Sequence, residues 1–471
     1  MDTGGHPAVM LQGALVVVSA SVLASCASSP VPSPRAPNVV LIVADDLGWG
    51  ELGCYGQRKI RTPRIDALAA EGARFTQFYS GAPVCAPSRC VLLTGKHNGH
   101  GVVRDNFEVQ PEGQLDLPSS EVTIAEVLRE RGYATGCFGK WGLSAPDTEG
   151  HPNAQGFDEF FGYICQRQAH DFYPDHLWRN RERVELDRAQ YSHDLVADAA
   201  LEFVREHREQ PFFLYVPFTI PHLALQVPDD SLAEYVGEWE DPPYEGGKGY
   251  KPHPTPRAAY AGMVTRMDRD VGRIVDLLAE LELADDTLVL FTSDNGPTYD
   301  RLGGSDSAFF ESAGGLRGLK GSVYEGGLRV PLVARWPGCV PAGSTCALPA
   351  AFVDLYPTIA SECGASEPAV LDGESLGPAL RDPSLSTRAR PLYWELAGYG
   401  GQQAARLGDW KAVRRQMRKG NDRIELYDLA TDAGETRDLA SQRPEVLAQL
   451  RAVLEREHVD APLFPLTKKE K

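Results

Sequence analysis

Four short apolar segments, separated by stretches with helical spacing, constrain the fold of this chain more than any other feature. They are Val39–Val43, Ala134–Phe138, Phe212–Phe218 and Leu288–Thr292. Apolar runs of this length, bounded by turn residues and alternating with helices, are typical of parallel strands buried on both faces. With 471 residues, the chain is long enough for one large domain and a smaller one. We therefore predict an α/β fold built on a large, mostly parallel sheet sandwiched by helices.

Each predicted strand is followed, within a few residues, by side chains of the kinds used in catalytic and metal sites. In chain order these are Asp45, Asp46, Lys140, His222, Asp294 and Asn295. Ligands of open α/β sheets bind beyond the carboxyl ends of the strands. The pattern therefore predicts one site assembled from four distant segments.

The two acidic pairs offer only oxygen ligands, which suit a hard divalent cation. Either pair alone, Asp45 with Asp46 or Asp294 with Asn295, is more often the start of an ordinary loop or turn. Placed together at the ends of parallel strands, they favour a metal site. No paired Cys or Cys/His spacing indicates zinc.

Helical patterns support the same architecture. Thr62 and Pro63 are typical of an N-cap and first turn, and Gly72 of a helix end. Apolar residues at three-and-four spacing from Val264 to Leu278 predict a long helix whose stripe belongs to the core. The Gly- and Pro-rich stretches 241–256 and 303–318 are predicted to be surface loops around the site.

After about Leu380 the segments become shorter. Pro391–Leu396, Trp410–Arg414 and Arg423–Tyr427 predict a small antiparallel sheet, and Pro444–His458 predicts a terminal helix. A smaller C-terminal α+β subdomain is therefore expected.

The twelve residues from Cys85 to Lys96, CAPSRCVLLTGK, resemble the signature of the type I sulfatases at every specified position. In that family the cysteine is oxidised after synthesis by a formylglycine-generating enzyme, and the hydrated aldehyde is the nucleophile. The alternative is a buried structural cysteine at a helix start, with Pro87 and Ser88 as ordinary helix-start residues. Arg89 lies four residues after Cys85, on the same face of a helix that begins between them.

The resemblance implies an alkaline-phosphatase-like fold and assigns roles to the predicted site. One calcium ion would be held by Asp45, Asp46, Asp294, Asn295 and the formylglycine at position 85. Lys140 in FGKWG and Lys320 in LKGSVYEGG match the sulfate-contacting lysines, and His222 in TIPH matches a histidine that protonates the leaving oxygen. The C-terminal stretches around Trp410, Glu425–Asp428 and Glu435–Leu439 resemble the family's C-terminal subdomain.

One position departs from many members of the family. Where the pattern GKWHLG supplies a histidine for sulfate release, this chain has Gly142. His97, His100 and His170 are the candidate replacements. His170 and Arg317 are also expected to bind substrate. The segment Gln166–Asn180, with Tyr173, His176 and Trp178, is interpreted equally as a sugar-binding surface or an ordinary packed loop.

The start of the chain predicts export. The apolar stretch Ala14–Leu23 is too short to span a bilayer, and the residues up to Cys26 resemble a bacterial lipobox. We expect a signal peptide over 1–25, a lipidated tether over 26–37, a sulfatase catalytic domain over 38–380 and the C-terminal subdomain over 381–471. The protein would then be a lipoprotein of the bacterial periplasm or outer membrane. A cleaved secretory peptide is the alternative, since the leader lacks Lys and Arg.

Charge and cysteine content limit the partners. With 47 Lys and Arg against 65 Asp and Glu, the net charge of −18 argues against bulk attraction to nucleic acid. The protein would contact a membrane only through its N-terminal lipid anchor. Cys339 and Cys346 could pair in an oxidising compartment.

The sequence therefore predicts a sulfatase for a sulfated small molecule or, more specifically, a sulfated carbohydrate. The nearest rival is a phosphodiesterase or phosphonate monoester hydrolase of the same superfamily. A rival of another class is a catalytically inactive glycan-binding lipoprotein, which would keep Cys85 unmodified.

Overall fold

The computed structural model describes residues 1–8, 10, 13 and 36–468. The apolar leader, Cys26 and most of the tether predicted from the sequence lie outside the described residues. Among the helices that are described, none combines the length and apolar character needed to cross a membrane. Residues from Ala36 onward form one compact unit.

A large mixed sheet runs through this unit. Its strands are β1 (Asn38–Ala44), β2 (Ala73–Tyr79), β3 (Ala134–Lys140), β4 (Glu159–Tyr163), β5 (His176–Arg179), β6 (Glu182–Glu185), β7 (Phe212–Pro217), β8 (Thr287–Ser293), β9 (Arg329–Arg335), β10 (Ser344–Cys346) and β11 (Ala350–Ala351). The order is β10-β2-β9-β8-β1-β7-β3-β4-β5-β6, with β11 also paired to β2. The five central strands β8, β1, β7, β3 and β4 are parallel, and antiparallel strands flank them.

The four predicted strands are confirmed as β1, β3, β7 and β8, which are contiguous in the sheet in the order β8-β1-β7-β3. Their ends differ slightly from the prediction. β3 continues through Lys140, so this lysine is the last residue of the strand rather than part of the following loop.

Helices cover both faces of the sheet. They are α1 (Pro63–Ala70), α2 (Cys85–Thr94), α3 (Ile124–Glu130), α4 (Ser192–Glu206), α5 (Asp229–Ala233), α6 (Pro256–Glu280), α7 (Glu325–Leu328), α8 (Leu355–Glu362), α9 (Gly377–Arg381) and α10 (Pro444–Arg456). Val39, Leu41 and Val43 of β1 face a core shared with α2, α3 and α8, while the alternate residues of β1 face a core shared with α1, α4 and α6. Period-two alternation thus puts both faces of one strand in contact with apolar helices.

The predicted helices are confirmed with small changes. The stripe from Val264 to Leu278 lies in α6 and is buried. Thr62 is the N-cap residue of α1, but its hydroxyl accepts from Gly53 N–H and donates to Asp66 instead of capping the helix. The 303–318 stretch contains no helix or strand, and the 241–256 stretch contains neither until Pro256 begins α6.

The C-terminal region forms a separate antiparallel sheet of β12 (Leu392–Leu396), β13 (Gln402–Leu407), β14 (Trp410–Arg415) and β15 (Ile424–Asp428). Three of these strands and the helix α10 match the prediction, whereas β13 was missed. α10 packs on one face through Leu450, Val453 and Leu454. Residues of the opposite face, including Trp394, join the main core. The predicted boundary after residue 380 falls inside α9.

A buried ionic network fastens the small sheet to the large one. Lys411 of β14 lies 2.8 Å from Glu325 of α7 and 3.0 Å from Glu435, and all three side chains are fully buried. Glu435 in turn accepts from the backbone N–H of Glu325 at 2.6 Å. Burial raises the pKa of Glu435 and Lys411 opposes it, with a net upward shift. Buried charges of this kind are stable only while they remain paired.

Replacing Lys411 by Met should leave two buried carboxylates without their cation. We expect the free energy of unfolding to fall by about 3–5 kcal/mol, measured by urea denaturation followed by circular dichroism. The exposed Lys419→Met on the same subdomain is the matched control and should change it by less than about 0.5 kcal/mol. Equal stability of the two variants would contradict the structural role of this network.

Candidate active site

The predicted acidic residues meet at the carboxyl ends of β1 and β8. These strands are parallel neighbours with Ala44 opposite Ser293, so the residues that follow them emerge side by side. Asp294 N–H donates to Ala44 O at 3.0 Å, and Asp46 N–H donates to Asp294 Oδ1 at 3.2 Å. Asn295 Nδ2 donates to Asp46 Oδ1 at 2.7 Å. The structure therefore brings Asp45, Asp46, Asp294 and Asn295 together, as expected.

The loop after β1 is held in an unusual conformation. Asp46 has a φ of +66°, a left-handed value that a non-glycine residue adopts only when its surroundings hold it there. Leu47 N–H donates to Ser293 Oγ at 2.9 Å, and Gly48 N–H donates to Glu51 Oε2 at 2.6 Å. Glu51 is fully buried, and burial raises its pKa to about 7. These bonds fix the direction of the Asp46 carboxylate.

Cys85 is the first residue of α2, at the helix end where backbone N–H groups create a favourable potential for anions. Its Sγ lies 3.4 Å from Asp45 Oδ1 and 3.4 Å from Lys320 Nζ. Arg89, one turn later and fully buried, donates to Asp294 Oδ2 from Nη2 at 2.7 Å and to Lys140 O at 2.5 Å. The signature helix thus delivers both its cysteine and its arginine to the acidic residues.

Three buried cations face the three buried carboxylates. Besides the Arg89 pair, Lys140 Nζ lies 2.6 Å from Asp45 Oδ2, and Lys320 Nζ lies 2.7 Å from Asp46 Oδ1. Lys140 comes from the end of β3, and Lys320 from the loop before α7. The formal charges of this group cancel, which is the condition under which so many ionised side chains can share a dry site.

The pKa values reflect this balance. Burial alone would raise the pKa of Asp45, but the cations Lys140, Arg89 and Lys320 hold it far below its usual range. For Asp294, burial and the neighbouring Asp45 prevail, and its pKa is raised. Burial tends to lower the pKa of Lys320, but Asp46 holds it well above its usual value. The lysine therefore stays protonated, whereas Asp294 is the carboxylate with the least compensated charge.

The donor set fits a hard divalent cation. Potential ligand atoms of Asp45, Asp46, Cys85 and His222 lie within 4.8 Å of one another. Asn295 Oδ1, which is buried, has no hydrogen-bond partner in the described part of the chain. A buried amide oxygen beside crowded carboxylates is a costly arrangement unless a cation satisfies it. The residues present therefore fit the predicted metal site.

His222 follows β7 and is also buried. Its Nδ1 donates to Leu223 O, and its Nε2 lies 3.5 Å from Asp46 Oδ2. Burial and then Lys320 hold its pKa well below the usual value. The imidazole is therefore neutral with its proton on Nδ1, so Nε2 has a lone pair rather than a proton to give. Protonation of a leaving oxygen by His222 would require a proton to be taken up at Nε2 first.

Of the three candidate replacements for the missing histidine, only His170 reaches the site. Its ring stacks on that of His222 at 4.4 Å between centroids. Burial lowers the pKa of His170 to about 2, and the nearby Lys140 and Lys320 act in the same direction. His97 and His100 lie elsewhere, bonded to Glu457 and Asp372 respectively. His170 is thus a neutral imidazole beside His222.

The site opens into a cavity of about 380 Å³. Its lining includes Cys85, Lys140, His170, His222 and Lys320, all of which were predicted, and Asn106, Gln114, Gln166, Tyr250 and Tyr299, which were not singled out. Gln166 is the first residue of the polar segment Gln166–Asn180, and Tyr250 lies in the predicted surface loop 241–256. Gln114 carries no sequence signal, because one glutamine in a loop is indistinguishable from solvated surface.

One expectation about substrate contacts is corrected. Arg317 lies outside the residues that line the cavity, and its Nη1 donates to Tyr427 Oη at 2.9 Å and to Glu435 O at 2.8 Å. It fastens the C-terminal sheet instead. Of the two interpretations of Gln166–Asn180, packing describes its aromatic residues, since Trp178 and His176 both bond Glu112 and Tyr173 packs on Tyr191. Gln166 and His170 of the same segment line the cavity.

The cysteines of the described chain are free thiols, including Cys339 and Cys346, which do not pair. Burial and then Asp45 raise the pKa of the Cys85 thiol to about 12. A thiol needs to ionise to act as a nucleophile. Unmodified Cys85 is therefore chemically inert.

Alkylation tests this inertness. In protein produced without the maturation enzyme, iodoacetamide at pH 8 should label the partly exposed Cys339 in the native state and Cys85 only after denaturation. Peptide mass spectrometry measures both sites in one sample. Comparable native labelling of Cys85 and Cys339 would contradict the burial and pKa described here.

Comparison with known proteins agrees with this geometry. A family model described as Sulfatase matches residues 37–365, and one described as N-sulphoglucosamine sulphohydrolase, C-terminal, matches residues 319–460. Arylsulfatase A of Homo sapiens is 34% identical over 478 residues, covering 88% of this chain and 87% of that protein. N-acetylgalactosamine-6-sulfatase of Homo sapiens is 32% identical over 424 residues, covering 83% and 75% respectively.

Among solved structures, Ps i-CgsB in complex with k-i-k-neocarrahexaose superposes with a TM-score of 0.76 at 30% identity, covering 90% of this chain and 92% of that one. The alkaline-phosphatase-like α/β fold expected from the sequence is confirmed. The chain belongs to the sulfatase family, whose members hydrolyse sulfate esters.

Proposed function

We propose that this enzyme hydrolyses a sulfate ester of a carbohydrate by means of a formylglycine formed from Cys85 and a bound calcium ion. The observation that carries the proposal is the position of Cys85. It stands within the matched signature, at the first turn of α2, with Sγ between Asp45 and Lys320 in the wall of the cavity. A formylglycine-generating enzyme would act on the chain before it reaches its final form.

The hydrated aldehyde would supply the hydroxyl that attacks sulfur, which the buried thiol cannot do. The three buried cations around residue 85 would then act on the sulfate group. Lys140, Lys320 and Arg89 are held in place by carboxylates and stay charged, so they can stabilise negative charge on the sulfuryl oxygens without rearranging. Because these side chains are buried, their electrostatic effect is stronger than it would be in water.

Proton transfer falls to the two histidines of the cavity. His170 lines the cavity, and neither ring nitrogen has a hydrogen-bond partner among the described residues, so it is the residue we assign to accept a proton during sulfate release. Because a pKa of about 2 makes it a weak base, it would accept this proton only when the negative charge of the bound sulfate group raises that pKa. His222 is fixed by its bond to Leu223 O and presents Nε2 to the same space. Once protonated there, it could donate to the departing oxygen.

Calcium would be held by Asp45, Asp46, Asp294, Asn295 and the modified residue 85, and would supply positive charge that polarises the groups it contacts. The unpartnered Oδ1 of Asn295 and the all-oxygen character of these four side chains support this choice of ion. The extra positive charge would also attract an anionic ester to a chain whose net charge is −18.

A carbohydrate substrate is supported by a relative and a neighbouring structure that name different sugars. The relatives include an N-acetylgalactosamine-6-sulfatase, and the neighbouring structure was solved with a neocarrahexaose. The polar side chains Asn106, Gln114 and Gln166 in the cavity wall are consistent with a hydroxylated ligand.

Peptide mass spectrometry of residue 85 tests the nucleophile. In protein from its native host, or from a host that coexpresses a formylglycine-generating enzyme, we expect the mass of the aldehyde in place of the thiol. Cys85→Ala should lower sulfate release from sulfated sugars by at least about a thousand-fold, because it removes the nucleophile.

The competing functions predict different results. Fully unmodified cysteine with glycan binding but no turnover would identify an inactive binding protein. Faster release of phosphate than of sulfate from matched esters would favour the phosphodiesterase or phosphonate hydrolase alternative.

Calcium binding can be tested apart from catalysis. Asn295→Leu removes one oxygen ligand, so we expect calcium affinity, measured by isothermal titration after chelator treatment, to fall by about ten-fold or more. The exposed Asn421→Leu is the matched control and should bind like the parent protein. Unchanged affinity of Asn295→Leu would argue against the assigned ligand set.

We also propose that the protein is exported and anchored through lipidated Cys26. The support is the lipobox-like sequence that precedes this residue. Expressed in a bacterium, the wild-type chain should fractionate with membranes, whereas Cys26→Ala should appear in the soluble fraction. Membrane association of both would contradict an anchor at this residue.

A further inference from the structure

Two glutamines in the wall of the active-site cavity have no visible structural task. Gln114 and Gln166 are 4% and 6% exposed. Oε1 of Gln114 and Nε2 of Gln166 are buried without a hydrogen-bond partner, and neither side-chain amide makes a hydrogen bond to any described residue. Buried amides are normally satisfied, since leaving them unpaired destabilises the fold. Two such groups in one cavity indicate that their partner is a ligand.

Both residues pack against the segment that follows Lys140. Gln114 ends a short hairpin in which it pairs with Glu108, and its backbone N–H donates to Ser144 O at 2.9 Å. Gln166 lies over Gly142, where an added Cβ would be 2.9 Å from Gln166 Nε2. Gly142 also has a φ of +77°, which favours glycine. The absence of a side chain at position 142 therefore makes room for the amide of Gln166 beside the catalytic lysine.

The chemistry of the pair selects the kind of group it would bind. An amide offers both a donor and an acceptor, and rotation about its terminal torsion exchanges them. Hydrogen-bond donors alone bind an anion best, and acceptors alone bind a cation best. A hydroxyl group both donates and accepts hydrogen bonds, as an amide does. The charged residues nearby, Arg167 and Glu108, are paired with each other at 2.8 Å and leave the rim without uncompensated charge.

We infer that Gln114 and Gln166 bind a hydroxyl group next to the sulfated carbon and thereby select carbohydrate sulfates over aryl sulfates. The inference rests on the proposed function and specifies the substrate contacts of the same site. An aryl sulfate has no hydroxyl in this position, so it would leave the two amides unpaired. A site built to bind a hydroxyl discriminates strongly against substrates that lack it.

The test compares Gln114→Met and Gln166→Met with the wild-type enzyme on two kinds of ester. The probes are 4-nitrophenyl sulfate and a panel of monosulfated hexoses and N-acetylhexosamines, with sulfate release measured by ion chromatography. For the best sugar of the panel, kcat/KM should fall by about ten-fold or more in each variant. On 4-nitrophenyl sulfate, it should stay within about two-fold.

A deoxy analogue of the best sugar, lacking the hydroxyl beside the sulfate, sharpens the comparison. Wild-type enzyme should prefer the parent sugar, and the double variant should lose that preference. The control is Gln403→Met, at a buried glutamine of the C-terminal sheet whose amide donates to Tyr393 Oη at 2.9 Å. It should lower the melting temperature without changing the ratio of the two activities, whereas the cavity variants should keep the melting temperature.

The possible failures are distinguishable. Wild-type activity on neither kind of ester would overturn the proposed function, and this inference with it. Activity on the aryl ester with no activity on any sugar would overturn the inference and the carbohydrate substrate of the proposed function, but not the formylglycine nucleophile. Cavity variants that leave both activities unchanged, or lower them equally, would overturn the inference alone.

Discussion

The structure depends on a balance of buried charge at the carboxyl edge of the central sheet. Asp45, Asp46 and Asp294 are each paired with a cation that comes from a different element: a strand end, a helix and a loop. Removing any one partner would leave an ionised group alone in a dry site, at a cost comparable to much of the stability of a domain. The same pairs fix the two lysines and the arginine beside the site, where the proposed mechanism uses them to stabilise an anionic ester. Under that proposal, stability and substrate recognition rely on the same bonds.

Sequence reasoning located Asp45, Asp46, Lys140, His222, Asp294 and Asn295 because each lies at or within a few positions of the end of a buried strand, and parallel strands align their carboxyl ends. Cys85 and Lys320 were located by their resemblance to family motifs, and helical spacing then placed Arg89 on the same face as Cys85. Residues that reach the site from loops were harder to predict from the sequence. Gln114 is brought in by a hairpin, and Arg317 is drawn away by Tyr427 and Glu435, contacts that no local pattern encodes. The missed strand β13 has the sequence QQAARL, which lacks the period-two alternation of a half-buried strand, and it depends on its neighbours for its burial.

The small C-terminal sheet supports the site although none of its residues lines the cavity. Glu325, which binds Lys411 of β14, begins α7 only five positions after Lys320. Gln402 Nε2 donates to Gly321 O at 2.8 Å, and Gly321 N–H donates to Pro83 O at 2.8 Å, just before the signature helix. The loop that carries Lys320 is therefore held between the two sheets. The position of Lys320 is set by contacts with both sheets and not by the loop sequence alone.

The burial of Cys85 also limits the time during which another enzyme can reach its sulfur. Only 2% of this residue is exposed, and it is locked into the first turn of a helix whose residues are all buried. If Cys85 is oxidised as we propose, the maturation enzyme would have access to the sulfur only while the chain is unfolded. Oxidation and folding would then compete, and the fraction of active molecules would be decided during synthesis. A substitution that makes α2 fold faster would then yield a stable protein in which a smaller fraction of the molecules is active.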